Sequence, residues 1–158
     1  MKKLLKFSSG LAIVAGIAMV VAGIWGICFT YKNISAENII TPSDARIPEV
    51  VVRGPLTLKA QADIIREHTL RMTDGKTYAE MPRLVPRLDT KGRPVLNEEG
   101  EPVMVPNEAR NIWITATALI TALHLGILTY VFSGLILLLG LISIWTGIIF
   151  CLLSRRGF

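Results

Sequence analysis

Two uncharged, strongly apolar runs frame this chain, and a polar segment separates them. The first run extends from Phe7 to Tyr31 and the second from Asn111 to Ser154. At about 1.5 Å per residue, the about 25 residues of the first run exceed the roughly 30 Å hydrocarbon core of a bilayer. The second run, about 44 residues, is long enough for two short spans or one very long helix. No proline or charge interrupts it, so one continuous helix is expected. Asn107, after Pro106 and before Glu108, is its N-cap, and it ends near Ser154.

Both runs carry a stripe of small residues at heptad spacing. Ser9, Gly16 and Gly23 form the first stripe, and Gly126, Ser133, Gly140 and Gly147 the second. Such stripes let helices pack closely at shallow angles. An antiparallel hairpin of the two runs is the economical arrangement, although the same stripes also suit contact with another subunit. Trp25, Phe29 and Tyr31 are expected at the outer interface of the first helix and Tyr130 at that of the last, with Trp145 or Phe150 at its inner end. The helix from Asn107 to Ser154 overshoots a bilayer. Its outer part, Ile112 to about Leu128, is too apolar to stand bare, so its own outer domain, a sister copy or a different subunit must cover it.

The intervening segment reads as a small α+β domain. Pro42, Pro48 and Gly54-Pro55 keep its start irregular, with a short strand at Glu49–Val52. Leu56 to Met72 is amphipathic, with Thr57 as its cap. Leu58, Ala62, Ile65, Thr69 and Met72 share one face, and Lys59, Asp63, Arg66 and Glu67 the other. Arg93–Leu96 and Pro102–Val105 read as a β-hairpin joined through Asn97-Glu98-Glu99-Gly100, confined to an edge by Pro94 and Pro102. The chain reads as free of internal repeats. A segment this small makes a poor independent core and is expected to fold against the protruding helix.

Charge sets the expected orientation. Of the 158 residues, 51% are hydrophobic, and the formal net charge is +5. Lys2, Lys3 and Lys6 precede the first run and Arg155 and Arg156 follow the last; the other basic residues balance the 12 acidic ones. Positive flanks stay on the cytoplasmic side, which places both termini inside the plasma membrane and the middle outside. The expected organisation is a cytoplasmic N-terminus (1–6), a transmembrane helix (7–31), an extracytoplasmic domain (32–107), a long helix crossing the membrane in its C-terminal half (108–154) and a cytoplasmic C-terminus (155–158). The fold class is a mainly α membrane protein. The first run is longer than a signal-peptide core and Ile34-Ser35-Ala36 is a weak cleavage site, so an uncleaved anchor is expected. Cys28 and Cys151 then lie about a membrane thickness apart, too far for a disulfide.

Candidate chemistry is sparse. Gly75-Lys76-Thr77 is similar to the tail of a phosphate loop, but Leu70 stands where the first glycine belongs, so a helix-ending turn is the simpler reading. His68 and Met72, one turn apart, are weak candidates for a soft metal, against a partly buried histidine beside a core methionine. Thr117, Thr121 and His124 share a helical stripe suited to a protein contact, with a proton or quinone contact at His124 as the functional alternative. No acidic residue lies in either run, which argues against ion conduction by this chain alone. No nucleophile–base pattern, paired-cysteine ligand set or cofactor loop is present. The short basic ends suit anchoring to lipid rather than nucleic acid.

The stretches Gly54-Pro55-Leu56-Thr57, Ala60–Ile65, His68 and Gly75-Lys76-Thr77-Tyr78-Ala79-Glu80, with Glu37-Asn38-Ile39 and Asp44-Ala45, resemble a group of small, mainly actinobacterial membrane proteins with two spans and an outer domain. That group often carries the label aromatic ring-opening dioxygenase, but the iron-ligand set such a label requires is missing here. The resemblance covers the greater part of the chain, implies no catalytic residue, and makes Val85–Pro106 an insertion. It also makes Gly75–Glu80, with Gly75 and Tyr78, a candidate docking surface. The expected function is a non-catalytic accessory or structural subunit of a larger membrane complex, without cofactor. A self-associating envelope scaffold or sensor and an extracytoplasmic metal-handling protein are the alternatives; other membrane subunits or a homo-oligomer are the expected partners.

Overall fold

A computed structural model describes residues 2–156. The chain is mainly helical: α1 (Lys2–Ala36), α2 (Pro55–Met72) and α3 (Glu108–Arg156), with a single 3-10 turn at Tyr78–Glu80 and a two-stranded sheet, β1 (Leu84–Pro86) and β2 (Met104–Pro106). The long second apolar run is one unbroken helix. Asn107 Oδ1 accepts the Ala109 N–H at 3.1 Å, which caps it, and Glu108 adds an acidic side chain at the positive end. Its 49 residues make a rod about 75 Å long, against about 50 Å for the 35 residues of α1.

α1 and α3 pack antiparallel, and the two small-residue stripes face each other. Ser9 Oγ donates to the Gly147 carbonyl at 2.8 Å, and Ser143 Oγ to the Ala12 carbonyl at 2.9 Å. A Cβ placed on Gly16 would lie 2.7 Å from the Gly140 carbonyl oxygen, and one on Gly140 2.8 Å from that of Gly16. Gly23 lies against Ser133 and Leu137 in the same way. These helices touch backbone to backbone, which leaves no room for a methyl group.

Gly126 differs from the rest of its stripe. Its nearest neighbours are the side-chain ends of Ile34, in the last turns of α1, and Leu58, in the first turn of α2. There α2 takes over from α1 as the partner of α3. The chain makes that transfer through a left-handed residue at Asn38 (φ 51°), whose side chain donates to the Ala36 carbonyl. A short antiparallel bridge, Ile40 opposite Val51, follows and seats Val52 beneath α2. The helix begins at Pro55, one residue before the sequence reading, with Gly54 as its cap. Thr57 works from inside the first turn, its hydroxyl accepting the N–H groups of Arg53 (3.0 Å) and Gly54 (3.1 Å).

The core sits at this three-helix junction. Val52, Leu58, Ala62 and Leu123 are its buried centre, and Ile34, Ile39, Ile65, Ile120, Ile127 and Tyr130 pack around them. Met72 does not belong to it: it keeps the period of the apolar face, but as the last residue of α2 it is 65% exposed.

The expected hairpin through Asn97–Gly100 is present as a short arm, with Leu96 opposite Pro102 and Val103 N–H bonded to Val95, but Met104 and Val105 do not extend it. β2 pairs with β1 (Val85 opposite Val105), not with Arg93–Leu96. Between the strands, two further small hairpins branch off, marked by bridges Leu88–Pro94 and Leu96–Pro102. Three backbone hydrogen bonds close a triangle at the branch point: Arg87 N–H to Val103 (2.7 Å), Val103 N–H to Val95 (2.8 Å) and Val95 N–H to Arg87 (2.8 Å). The result is a three-armed trefoil. Its two arms are a tandem repeat, Leu88-Asp89-Thr90-Lys91-Gly92-Arg93-Pro94-Val95 and Leu96-Asn97-Glu98-Glu99-Gly100-Glu101-Pro102-Val103, so the chain is not free of repeats. Equivalent positions do equivalent work. Asp89 Oδ1 accepts the N–H groups of Lys91 and Arg93, and Asn97 Oδ1 those of Glu99 and Glu101. Gly92 (φ 74°) and Gly100 (φ 82°) supply the left-handed residue that each turn requires.

Candidate functional site

The N-terminal half of α3, which runs from the last turns of α1 to well beyond its end, presents two faces. On one, Trp113, Ala116 and Leu123 are buried and Ile120 is half-buried, covered by α2 and the chain that follows it. The Trp113 indole N–H donates to the Lys76 carbonyl (2.8 Å) and the Thr73 hydroxyl (3.1 Å), so an apolar ring is buried without stranding its polar edge. Arg66 stacks over the same ring, its guanidinium carbon 5.9 Å from the centroid. The chain's own domain therefore covers part of the protruding helix.

The other face is bare. Ile114, Thr117, Thr121, His124, Leu125 and Leu128 fall within about 100° of one another around the helix. All six are exposed, Ile114 at 55%, Leu125 at 56% and Leu128 at 48%. The expected polar stripe Thr117, Thr121 and His124 thus shares its surface with large aliphatic side chains, and no part of the described chain lies against it.

Between these faces, on the seam of α2 and α3, runs an open groove. Its upper part, toward the start of α3, is a cleft of 560 Å³ lined by Ile65, His68, Glu108, Ile112 and Leu119 among others. Its lower part, 470 Å³, shares Ile65 and Leu119 and reaches Ile34, Glu37 and Leu123. The groove is mostly apolar, with His68 and Glu108 at its upper rim.

His68 is not oriented with Met72. Its Nε2 lies 2.8 Å from Asp44 Oδ2, which also accepts from Arg71 at 3.0 Å. The His68 contact, followed by that with Arg71, holds the Asp44 carboxyl below its ordinary range. This trio ties the loop before α2 onto the helix. Among the described residues, no group of three or more His, Cys, Asp or Glu side chains is placed to hold a metal ion.

Gly75–Glu80 is built as a clasp. Gly75, in a left-handed conformation (φ 75°), donates its N–H to the Leu70 carbonyl and reverses the chain. Thr77 caps the following turn: its N–H and its hydroxyl both donate to Glu80 Oε2 at 2.7 Å, which keeps the Glu80 carboxyl below its usual range. Arg110 stacks on the Tyr78 ring, 3.8 Å from its centroid, and donates to the Met81 carbonyl at 2.6 Å. The carbonyl of Lys76, Tyr78 and the Met81 carbonyl are thus occupied in holding this segment to α3.

Two contacts at the junction carry no marker in local sequence. The Tyr130 hydroxyl donates to the Arg53 carbonyl at 2.6 Å, and the Arg53 guanidinium donates to the Tyr31 hydroxyl at 3.4 Å. They fasten the start of α2 to both long helices at one level. Comparison with known proteins finds no matching family model, no matching curated protein and no matching solved structure.

Proposed function

We propose that this chain crosses the plasma membrane twice, through α1 and the C-terminal half of α3, with both termini cytoplasmic, and serves as a non-catalytic accessory subunit of a larger membrane complex. The most hydrophobic windows of α1 and α3 have mean hydropathies of 2.4 and 2.6, and only 11% of each window is buried within the chain. So much uncovered apolar side chain calls for lipid or protein around it. The basic ends favour the stated orientation.

The observation that carries the subunit reading is the bare face of α3. Ile114 stands beyond the end of α1, and Leu125 and Leu128, level with its last turns, lie on the side of α3 that neither α1 nor α2 covers. Threonines among aliphatics suit close helix packing, and His124 adds a polar contact at the edge. A partner helix or sheet surface on this face would complete the cover of α3.

The test is gentle extraction of a tagged chain, native electrophoresis and mass spectrometry of the separated band. The reading expects a larger membrane protein in fixed stoichiometry, lost in Thr121→Trp while the variant keeps its own thermal transition. A tagged chain that migrates alone would refute it. Orientation is tested separately: a cysteine at Glu99, in a background lacking Cys28 and Cys151, should react with an impermeant maleimide on intact cells.

A further inference from the structure

The two arms of the trefoil share one backbone design and carry opposite charge. Arg87, at the base of the first arm, and Lys91, at its tip, have no ion-pair partner among the described residues; Arg93 is engaged by Asp89 at 3.1 Å within its own turn. The second arm carries Glu98, Glu99 and Glu101, also without ion-pair partners among the described residues. Neighbouring arms of opposite sign would be expected to fold onto each other. Here the arms leave the closed triangle at Arg87, Val95 and Val103 as separate hairpins and no ion pair joins them among the described residues, so the attraction is left for another molecule.

The stem between the arms has a matching apolar side. Leu84 and Pro106 are opposite each other in the ladder, as are Pro86 and Met104, and these four residues share one face. All are exposed, Leu84 at 50% and Met104 at 49%, whereas Val85 and Val105, on the other face, are half-buried.

We propose that this surface binds a second copy of the chain. Two copies in one bilayer share an orientation, so their two-fold axis runs along the membrane normal. A two-fold contact is self-complementary: whatever arm one copy presents on the left, its partner presents on the right. With the stems face to face, each basic arm meets the acidic arm of the other copy, and the pairing is satisfied twice. The apolar stem faces supply the contact and the arms set its register. The pairing of opposite arms requires a two-fold axis that passes between the arms, across the line joining them, so it rests, with the axis direction, on the two-span reading.

The experiment uses the full chain purified in mild detergent, with mass measured by analytical ultracentrifugation over a range of concentrations and salt. One variant carries Arg87→Glu and Lys91→Glu, the other Glu98→Lys, Glu99→Lys and Glu101→Lys. The turn-forming Asp89, Asn97, Gly92 and Gly100 are left intact. The wild type is expected to dimerise, more weakly as salt rises. Each variant alone is expected to self-associate at least about tenfold more weakly, because like charges now oppose. An equimolar mixture of the two variants restores each opposite-charge contact and should recover the dimer. A wild type that stays monomeric, variants that dimerise like wild type, or a mixture that does no better than its components would each overturn the proposal.

Discussion

Adding one methyl group to the α1–α3 seam tests whether backbone contact, rather than general hydrophobicity, holds these helices together. In Gly16→Ala the new carbon would lie 2.7 Å from both the Gly140 carbonyl oxygen and Ile144 Cγ1. A comfortable contact needs about 3.5 Å, so the helices must separate by close to 1 Å at that level. A gap of that size forfeits about a quarter to a half of each dispersion contact it opens. Overpacking of this kind costs about 1–3 kcal/mol, while replacing a helical glycine returns about 0.5–1 kcal/mol, for a net loss near 1–2 kcal/mol. Gly10, on the same helix, has nothing within 4 Å of the corresponding position, so Gly10→Ala should gain about 0.5–1 kcal/mol. Reversible SDS unfolding in mixed micelles, followed by tryptophan fluorescence, measures both. The difference between the two variants should be about 2 kcal/mol, more than tenfold in the unfolding constant. Gly140→Ala should match Gly16→Ala, and the double variant should cost less than their sum, since one separation relieves both clashes. If Gly16→Ala and Gly10→Ala shift stability alike, the close-packed seam is wrong.

Three other outcomes follow from contacts in the outer domain. Trp113→Phe keeps most of the ring but removes the donor to Lys76 and Thr73, and should cost about 1–3 kcal/mol, with faster amide hydrogen exchange over residues 73–80. The Asp44 carboxyl, held below its ordinary 3.8 by His68 and Arg71, stabilises the fold above that value, and the contribution disappears as the pH falls through its lower folded pKa. Amide exchange in residues 41–50 should therefore accelerate as the pH drops below about 3.8 after correction for intrinsic rates, and Asp44→Asn should remove that step. Asn97→Ala deletes the one side-chain oxygen that accepts two turn N–H groups in the acidic arm, so the NMR shifts of residues 97–101 should move to disordered values while those of 89–93 stay in place.

Much of the scaffold was legible because it follows from features that act locally. An uninterrupted apolar run demands a helix, Asn107 demands a start, and stripes of glycine and serine leave few partners other than another small-residue stripe. The outer domain was legible only where periodicity governs it, as in α2. Met72 obeys the period and still lies outside the core, since periodicity does not report where a neighbour ends. The trefoil escaped for a different reason. Alternation of apolar and polar residues is lost in segments only three residues long, and β2 finds its partner across both arms rather than at the nearest turn. The signal that was available is the recurrence of Leu, Asp or Asn, Gly and Pro-Val at equal offsets in the two arms. The pairing of His68 with Asp44 and the seat of the Trp113 N–H are long-range contacts between residues that are each unremarkable in their local context. On the bare face of α3, the spacing of Thr117, Thr121 and His124 was readable, but its exposure beside Ile114, Leu125 and Leu128 was not, because that depends on which side α2 occupies.

α3 serves two partners in succession with one face. From Gly147 to Ser133 it packs against α1, and from Leu123 to Trp113 against α2 and the clasp. The change occurs at Gly126, where Ile34 and Leu58 meet over a residue with no side chain. A larger residue there would have to displace the side-chain ends of Ile34 and Leu58 together, whereas at Gly16 it meets the α3 backbone at Gly140 and Ile144 and the Ile144 side chain. The glycine stripe therefore has two physical roles: direct helix contact along the paired segment and clearance for a third helix at its upper end. This arrangement ties the outer domain to the rod rather than to a loop. With no proline within α3 and with Tyr130 and Tyr31 both engaging Arg53 at the junction, a tilt of α3 against α1 must carry α2 with it. A partner bound to the bare face of α3 would then sense the packing of the paired helices below it through a continuous helix and a single side-chain junction.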